Sequence, residues 1–174
     1  MRNLVLSYSL SGNNEALAAG IAEALQATHI RIAESKTRKT GTIFFDVLFG
    51  KVPVVSPTIN FEDYDLVILV GPVWIGHVAT PFRSYLKQLN GVLNKYVYVS
   101  LCGGADGQNT KLVDELTERV GKEPLAVIEF PIGGLLPQEL RSMEKDTQSY
   151  HPTETDIKHL TCEAVTRLRE IIVK

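Results

Sequence analysis

The sequence predicts an α/β fold in which a doubly wound, five-stranded parallel sheet lies between two layers of helices, a three-layer sandwich. Short aliphatic runs alternate along the chain with segments whose apolar residues recur at helical spacing. One run, Leu66–Val70, is apolar at every position, as a strand covered on both faces would be. With 174 residues, 44% of them hydrophobic, the chain can bury a core without disulfides or a structural metal. We expect a single domain over residues 1–174.

The first unit of this pattern is the clearest. Asn3–Tyr8 is typical of a buried strand, Ser9–Asn13 is a polar turn with a glycine, and Asn14–Ala27 has helical periodicity. His29–Ala33 predicts the second strand. The apolar positions of the helix are Leu17, Ile21 and Leu25.

A long connection separates the second strand from the third, which we place at Asp65–Gly71 in the centre of the sheet. Within the connection, Thr42–Gly50 predicts a short helix. Lys51–Asn60 contains two prolines and predicts irregular structure.

The next elements follow at regular intervals. Pro81–Leu89 predicts a helix, because the fixed φ of proline suits a first helical turn. Tyr96–Leu101 predicts the fourth strand. Gln108–Val120 predicts another helix, which Gly121 ends. Ala126–Phe130 predicts the fifth strand.

The last helix begins at a capping signal. Thr153 is followed three residues later by Asp156, an acidic residue where a capping box more often has Glu. Residues 131–152 before it break the rhythm, and we expect a loop over one edge of the sheet. The inner face of the helix is predicted to be Ile157, Leu160, Ala164, Leu168 and Ile171.

Composition excludes several classes of function. The 18 basic and 20 acidic residues nearly cancel, whereas nucleic-acid-binding domains usually carry a basic face. No apolar run reaches the roughly 18 residues that cross a bilayer, and the N-terminus lacks the apolar core of a signal peptide. Cys102 and Cys162 lack the paired spacing of a zinc site. We therefore expect a cytoplasmic protein with no metal and no nucleic-acid or membrane partner.

Three loops are expected to meet where the parallel strands end, which is where such sheets bind ligands. The first loop, Ser9–Asn14, offers hydroxyls, amides and a glycine at a helix N-terminus and has no Lys or Arg. Backbone N–H groups and the helix dipole favour an anion there, such as a terminal phosphate ester. The alternative is that its Ser and Asn residues only cap the helix.

The other two loops suit a flat ligand. The indole of Trp74, the only tryptophan, either lies against a planar heteroaromatic ring or packs on the next helix. The loop Cys102–Gly107 has three glycines, which let backbone approach a ligand closely. His77 is either a proton donor or a packing histidine, and Cys102 is better explained by packing than by redox chemistry.

Signatures of related folds are missing from the sequence. Neither the G-x-G-x-x-G dinucleotide fingerprint nor the G-x-x-x-x-G-K-[ST] P-loop occurs. The first and third strands also lack the terminal acidic residues that would hold magnesium in a receiver domain.

These loops are similar to those of the flavodoxin-like superfamily. S-x-S-G-N-N at Ser9–Asn14 resembles its phosphate loop, T/S-x-T/S-G-x-T, and D-L-V-I-L-V-G-P-V-W-I-G-H resembles its third strand and second flavin loop. The resemblance implies strand order 2-1-3-4-5 and non-covalent FMN, with the isoalloxazine between the loop of Trp74 and the third loop. The residues implied to bind it are Ser9, Leu10, Ser11, Gly12, Asn13, Asn14, Pro72, Val73, Trp74, Ile75, Gly76, Cys102, Gly103, Gly104 and Asp106.

Two departures from the family pattern favour one of its functions. Electron-carrying flavodoxins are typically very acidic and often have a second aromatic residue in the third loop, and this chain has neither feature. The resemblance therefore implies an NAD(P)H-dependent oxidoreductase that passes electrons through FMN to small quinone-like acceptors. Such enzymes often form homodimers. The alternatives are an electron carrier between larger redox enzymes, whose partner is a protein, and a non-catalytic flavin-binding or interaction module.

Basic residues outnumber acidic ones after the second strand. They either recognise the extra phosphate of NADPH or form a solvated surface. The residues are Arg31, Lys36, Arg38, Lys39 and Lys51, against Glu34 and Asp46.

Overall fold

The computed structural model describes residues 1–34, 55–92, 95–103, 110–136 and 150–173. Within them, the strands form one main sheet and two small antiparallel pairs. The main sheet consists of β1 (Asn3–Ser7), β2 (Thr28–Arg31), β5 (Leu66–Val70), β8 (Tyr96–Cys102) and β9 (Ala126–Pro131). The small pairs are β3 (Ala33–Glu34) with β4 (Val55–Ser56), and β6 (Val73–Trp74) with β7 (His77–Val78).

The strands of the main sheet are parallel and lie in the order β2-β1-β5-β8-β9. Without the short strands this is the order 2-1-3-4-5, so the fold class and the strand order are confirmed. Every residue of β5 is buried, because this central strand has helices on both of its faces.

Helices cover both faces of the sheet. Helices α1 (Asn13–Leu25) and α4 (Glu154–Val173) pack on one face, and α2 (Phe82–Leu89) and α3 (Thr110–Val120) pack on the other. Two separate apolar clusters result, as a doubly wound sheet requires. Short 3₁₀ turns occur at Phe61–Asp63 and Ile132–Leu135. Among the described residues, no helix combines the length and the apolar character that a membrane span requires.

The carboxyl ends of the parallel central strands lie at one edge of the sheet, which we call the carboxyl edge. Ser7 lies opposite Val70, and Val70 lies opposite Val99. The backbone N–H of Tyr8 donates to the carbonyl of Val70 at 3.0 Å, and that of Gly71 donates to Val99 at 3.0 Å. The segments that follow β1 and β5 therefore start side by side, and β8 continues for three more residues, to Cys102.

Local signals place the helix ends where the sequence predicts them. Pro81 precedes α2 with φ −59°, and Gly121 follows α3 with φ 76°. The Gly121 N–H donates to the carbonyl of Thr117 at 2.8 Å, which satisfies a terminal carbonyl of the helix.

The predicted capping box at the start of α4 is present. The Thr153 N–H donates to the Asp156 carboxylate at 2.8 Å, and the Asp156 N–H donates to the Thr153 hydroxyl at 3.2 Å. The Thr153 hydroxyl also donates to the Asp156 carboxylate at 2.7 Å, and this bond, followed by that of the Thr153 N–H, lowers the pKa of Asp156. The shorter Asp side chain therefore accepts the N-cap N–H, as Glu usually does in a capping box.

Replacing Thr153 with Ala should lower the free energy of unfolding by about 1 kcal/mol, because the N-cap hydroxyl is lost. Urea unfolding measures this change. Thr155→Ala, a deletion of the same hydroxyl two residues along, is the control and should stay within about 0.5 kcal/mol of the parent. Equal losses in the two variants would contradict the capping assignment.

The segment after β2 differs from the prediction. Instead of irregular structure throughout 51–60, the backbone pairs at Val55–Ser56 with Ala33–Glu34. Pro57 does not interrupt the pairing, because it follows the last paired residue. The helix predicted at Thr42–Gly50 lies outside the described residues, as does most of the loop predicted at 131–152.

Candidate functional site

The loop between β1 and α1 leaves the start of the helix open. The N-cap residue is Gly12, in a left-handed conformation with φ 91°, and no side chain caps the helix there. Ser9 instead accepts the Gly12 N–H on its hydroxyl at 3.0 Å, which closes the turn before the helix. Leu10 and Ser11 are exposed at the tip. Ser9 and Ser11 therefore do not cap α1, contrary to the alternative that these residues serve only as helix caps.

An anion fits this arrangement. The first N–H groups of a helix have no acceptor within the helix, and here the glycine N-cap supplies none. The exposed Ser11 hydroxyl and the N–H groups of Asn13 and Asn14 form a set of neutral donors at the positive end of the helix dipole. Such a set suits a phosphate ester.

The Asn14 side chain has a different partner from the one predicted. It is buried, its amide donates to the Leu101 carbonyl at 2.9 Å, and its carbonyl accepts the Leu101 N–H at 2.8 Å. Since β5 ends opposite Val99, the Leu101 backbone has no strand partner on that side of β8, and the Asn14 side chain supplies the missing hydrogen bonds. Only its backbone N–H is left for an anion. The Asn13 amide donates to the Tyr150 carbonyl at 3.4 Å.

Glu15, which follows these donors, is neutralised by its neighbours. It forms an ion pair with Arg31 and accepts a hydrogen bond from Ser7 at 2.8 Å. His29 lies 3.3 Å from the carboxylate and 2.9 Å from the Ser7 hydroxyl. An anion at the helix start therefore meets little repulsion from Glu15.

The positive charge that balances Glu15 comes from Arg31 and not from His29. Burial lowers the pKa of His29; the Glu15 carboxylate raises it in part, and Arg31 lowers it further. The imidazole is therefore neutral near neutral pH. Arg31 is the one described member of the basic cluster predicted after β2; Lys36, Arg38, Lys39 and Lys51 lie outside the described residues.

The loop after β5 is a hairpin that was not predicted from the sequence. Val73 pairs with Val78 and Trp74 with His77, so Ile75 and Gly76 form a two-residue turn. Both turn residues have positive φ, 54° and 79°, as a type I′ turn demands. The glycine flanked by alternating apolar residues was a signal for this hairpin, but Ile is unusual at the first position.

Trp74 packs in the core, so the packing alternative describes it better than stacking on a ligand. The side chain is 9% exposed and meets the Tyr8 ring edge-on, with ring centroids 5.8 Å apart. The exposed apolar side chain of the hairpin is Ile75, at 63%. Its neighbours along the predicted loop, Pro72 and Val73, are half-buried.

The base of the hairpin is fixed from β8. The Tyr98 hydroxyl donates to the carbonyls of Gly71 at 3.2 Å and Pro72 at 3.0 Å. The Tyr98 ring in turn packs edge-on against Phe82 of α2. The backbone therefore leaves β5 in one defined direction.

The third loop is described only at its start. Cys102 is buried, with its sulfur 3.9 Å from the Phe130 carbonyl, which favours packing over redox chemistry. Gly103 is exposed and a side chain there would meet no atom within 4 Å. The predicted contacts Gly104 and Asp106 lie outside the described residues.

A buried carboxylate beside the hairpin was also missed. Glu115 of α3 is 8% exposed and accepts hydrogen bonds from the Val78 N–H at 2.9 Å and from Arg119 at 2.8 Å. Its distance to His77 Nδ1 is 3.1 Å and that to Arg83 is 3.7 Å. His77 therefore has a specific partner. Arg119 follows Glu115 at the i,i+4 spacing of a helix, but Val78, His77 and Arg83 belong to other elements, and no sequence spacing revealed those contacts.

Other regions offer weaker candidates. No group of three or more side chains suited to a metal ion occurs in the described ranges. Two open hollows near Met1 and Tyr64 lie at the opposite edge of the sheet, away from the ends of the central strands.

Comparisons with known proteins agree with this architecture. No family model matches the chain. A flavoprotein in complex with FMN from Lactobacillus acidophilus NCFM superposes with a TM-score of 0.63 at 22% identity, over 74% of this chain and 92% of that one. A flavodoxin from the domain Archaea superposes with a TM-score of 0.51 at 12% identity, over 98% and 99%. This chain has a flavodoxin-like fold.

Two curated relatives of this flavodoxin-like chain are named NAD(P)H dehydrogenase (quinone). The protein from Cupriavidus metallidurans is 29% identical over 106 residues, and the one from Gluconacetobacter diazotrophicus is 27% identical over 127. The matches cover 59% and 66% of this chain. They span 53% and 63% of the relatives, so the chain accounts for about half to under two thirds of their length.

Proposed function

We propose that this protein binds FMN and acts as an NAD(P)H-dependent oxidoreductase that passes electrons to quinone-like acceptors. The observation that carries the proposal is the open start of α1 at the carboxyl edge, where Gly12 has a left-handed conformation, no side chain caps the helix, and the loop Ser9–Asn14 contains no Lys or Arg. The flavodoxin-like fold and the names of the two curated relatives support it.

The phosphate of FMN would be held by the Ser9 and Ser11 hydroxyls and the N–H groups of Asn13 and Asn14. Ser9 already accepts one bond and keeps its own proton to donate. The ion pair of Glu15 with Arg31 reduces the local negative charge. These groups bind and orient; they take no part in electron transfer.

The ring end would lie between the hairpin and the start of the third loop. Ile75 supplies exposed apolar surface and Gly103 leaves space for a close approach. FMN, when bound, supplies the chemistry that accepts electrons from a nicotinamide and releases them. The protein's share is to place the ring, exclude water from one side and leave the other side open to a second flat molecule.

Charge supports a small acceptor over a protein partner. The net charge is −2, whereas carriers that find protein partners by long-range attraction need a large charge of one sign. We also propose that the protein is located in the cytoplasm and forms a homodimer.

The test of FMN binding is calorimetric titration with FMN and with riboflavin. Ser11→Ala should weaken FMN binding by about 1.5 kcal/mol, or roughly tenfold, because one hydrogen bond to a charged group is lost. Riboflavin has no phosphate, so its affinity should stay the same. Thr166→Ala, which deletes an exposed hydroxyl on α4, is the control. Equal losses of affinity for both ligands would contradict the assignment of Ser11 to the phosphate. If the parent protein does not bind FMN, the proposal of FMN binding is wrong.

Anaerobic mixing with NADH or NADPH tests the reaction. Rapid direct bleaching of the flavin absorbance is expected of the oxidoreductase. The second candidate is an electron carrier between larger redox enzymes, a role that a flavodoxin-like chain of only 174 residues is small enough to fill. Reduction only through a separate reductase would favour that candidate. A flavin that neither route reduces would leave a binding or interaction module.

A further inference from the structure

The tip of the β6–β7 hairpin holds a residue in an unfavourable conformation. Ile75 has φ 54°, although a β-branched residue is a genuine outlier in the left-handed region. Asn or Asp is the usual first residue of such a turn when Gly follows. Ile75 is also 63% exposed, so no packing of its side chain in the core explains the choice. Strained residues of this kind concentrate where a binding site needs them.

The carboxylate of Glu115, on α3, holds the hairpin in place through its contacts with β7. Glu115 Oε2 accepts the Val78 N–H at 2.9 Å and lies 3.1 Å from His77 Nδ1. Both contacts are to β7, immediately after the turn. Helix α3 thus fixes the strand that leads away from Ile75.

The carboxylate itself is fixed. Glu115 Oε1 accepts two N–H groups of Arg119, at 2.9 Å and 2.8 Å, and Arg83 of α2 lies 3.7 Å away. Glu115 is 8% exposed, so water screens these interactions little. Its two oxygens therefore have separate tasks: Oε1 is anchored by arginines on the helices, and Oε2 anchors the hairpin.

We propose that Glu115 is a positioning residue that holds the hairpin so that the strained Ile75 side chain presents its apolar surface to the isoalloxazine. This inference rests on the proposed function. It assigns the apolar ring contact to Ile75 in place of Trp74, and the control of that contact to a residue on α3 that does not touch the ligand.

The first test is Glu115→Gln, with Glu163→Gln as the matched control. Glu163 also pairs with an arginine four residues along a helix, Arg167, but on the exposed surface of α4. Tryptophan fluorescence of the protein without flavin reports the hairpin, because Trp74 lies on β6 and is the only tryptophan. Glu115→Gln should shift its emission to longer wavelength and increase acrylamide quenching, while the control should change neither.

The ligand measurement separates positioning from stability. Glu115→Gln should weaken FMN and riboflavin by the same factor, roughly 2- to 30-fold, as expected for a residue that acts through another. A merely structural role would lower the melting temperature and leave both affinities of the folded protein unchanged, and that result would overturn the proposal. A loss confined to FMN would also overturn it, because it would place the effect at the phosphate.

Ile75→Asn is the second variant and does not risk the fold. Asn-Gly is the preferred type I′ pair, so the melting temperature should rise by about 2–4 °C. Flavin affinity should fall about tenfold with the loss of the apolar contact. Higher stability with unchanged affinity would overturn the ring contact. If the parent binds no flavin, the proposed function and the ring contact both fail, and the Trp74 emission alone decides whether Glu115 positions the hairpin.

Discussion

Replacing Asn14 with Ala should lower the free energy of unfolding by about 2–4 kcal/mol, because two buried backbone groups would lose their partner at once. The N–H and the carbonyl of Leu101 both bond to the Asn14 side chain, at 2.8 Å and 2.9 Å, at a site from which water is excluded. On the side of β8 that faces β5, no strand residue reaches Leu101, since β5 ends opposite Val99; β9 pairs with Leu101 from the other side. Urea unfolding, analysed as a two-state transition, gives the change.

Asn13→Ala is the matched control for this measurement. It removes the same amide one residue earlier, where the one side-chain bond, to the Tyr150 carbonyl, is long at 3.4 Å. We expect a change within about 0.5 kcal/mol. If Asn14→Ala is as mild as the control, the bridge between α1 and β8 does not contribute to stability.

Replacing Gly71 with Ala should destabilise the fold by about 2–3 kcal/mol through overpacking. A Cβ at this position would lie 2.8 Å from Cζ of the buried Phe82 ring and closer still to Cε2, and 3.2 Å from the Tyr8 carbonyl. The ring cannot retreat freely, because it packs against Tyr98, whose hydroxyl holds the backbone at Gly71.

Differential scanning calorimetry measures the effect of Gly71→Ala, and Gly103→Ala is its control. A Cβ at Gly103 meets nothing within 4 Å, so this second variant should melt within about 2 °C of the parent. A double variant, Gly71→Ala with Phe82→Leu, should recover part of the loss because the smaller side chain vacates the space. No recovery would mean that the backbone contact with Tyr8 dominates.

The sequence predicted those features that depend on a few neighbouring residues. Continuous apolarity identified β5 as the central strand, Gly121 identified the end of α3, and Thr153 with Asp156 identified the start of α4. In each case the physical cause is local, either burial of a short run or satisfaction of terminal backbone groups. Such causes leave a signature at fixed spacing.

The features that the sequence did not predict depend on distant partners. The Asn14 side chain was predicted to bind a phosphate, because its partner in the structure, Leu101, lies 87 positions away in the sequence. For Trp74 the sequence left stacking on a ligand and packing on the next helix open, because its ring neighbour Tyr8 belongs to another strand end. The turn at Ile75 was missed because Ile opposes the local preference that would have revealed it. Glu115 has an i,i+4 partner in Arg119 on its own helix, but its contacts to α2 and β7 come from distant parts of the chain, and no motif joins those.

The bridge from Asn14 to β8 has a consequence for how the chain can vary in length. Surface turns normally accept extra residues, and Leu10 and Ser11 are at the surface. Here the turn is fixed at both ends, by the pairing of Ser7 with Val70 and by the bonds of Asn14 to Leu101. One added residue would have to bulge outward without moving the helix, and a deletion would pull Asn14 away from β8. This short turn should therefore tolerate substitution far better than insertion or deletion.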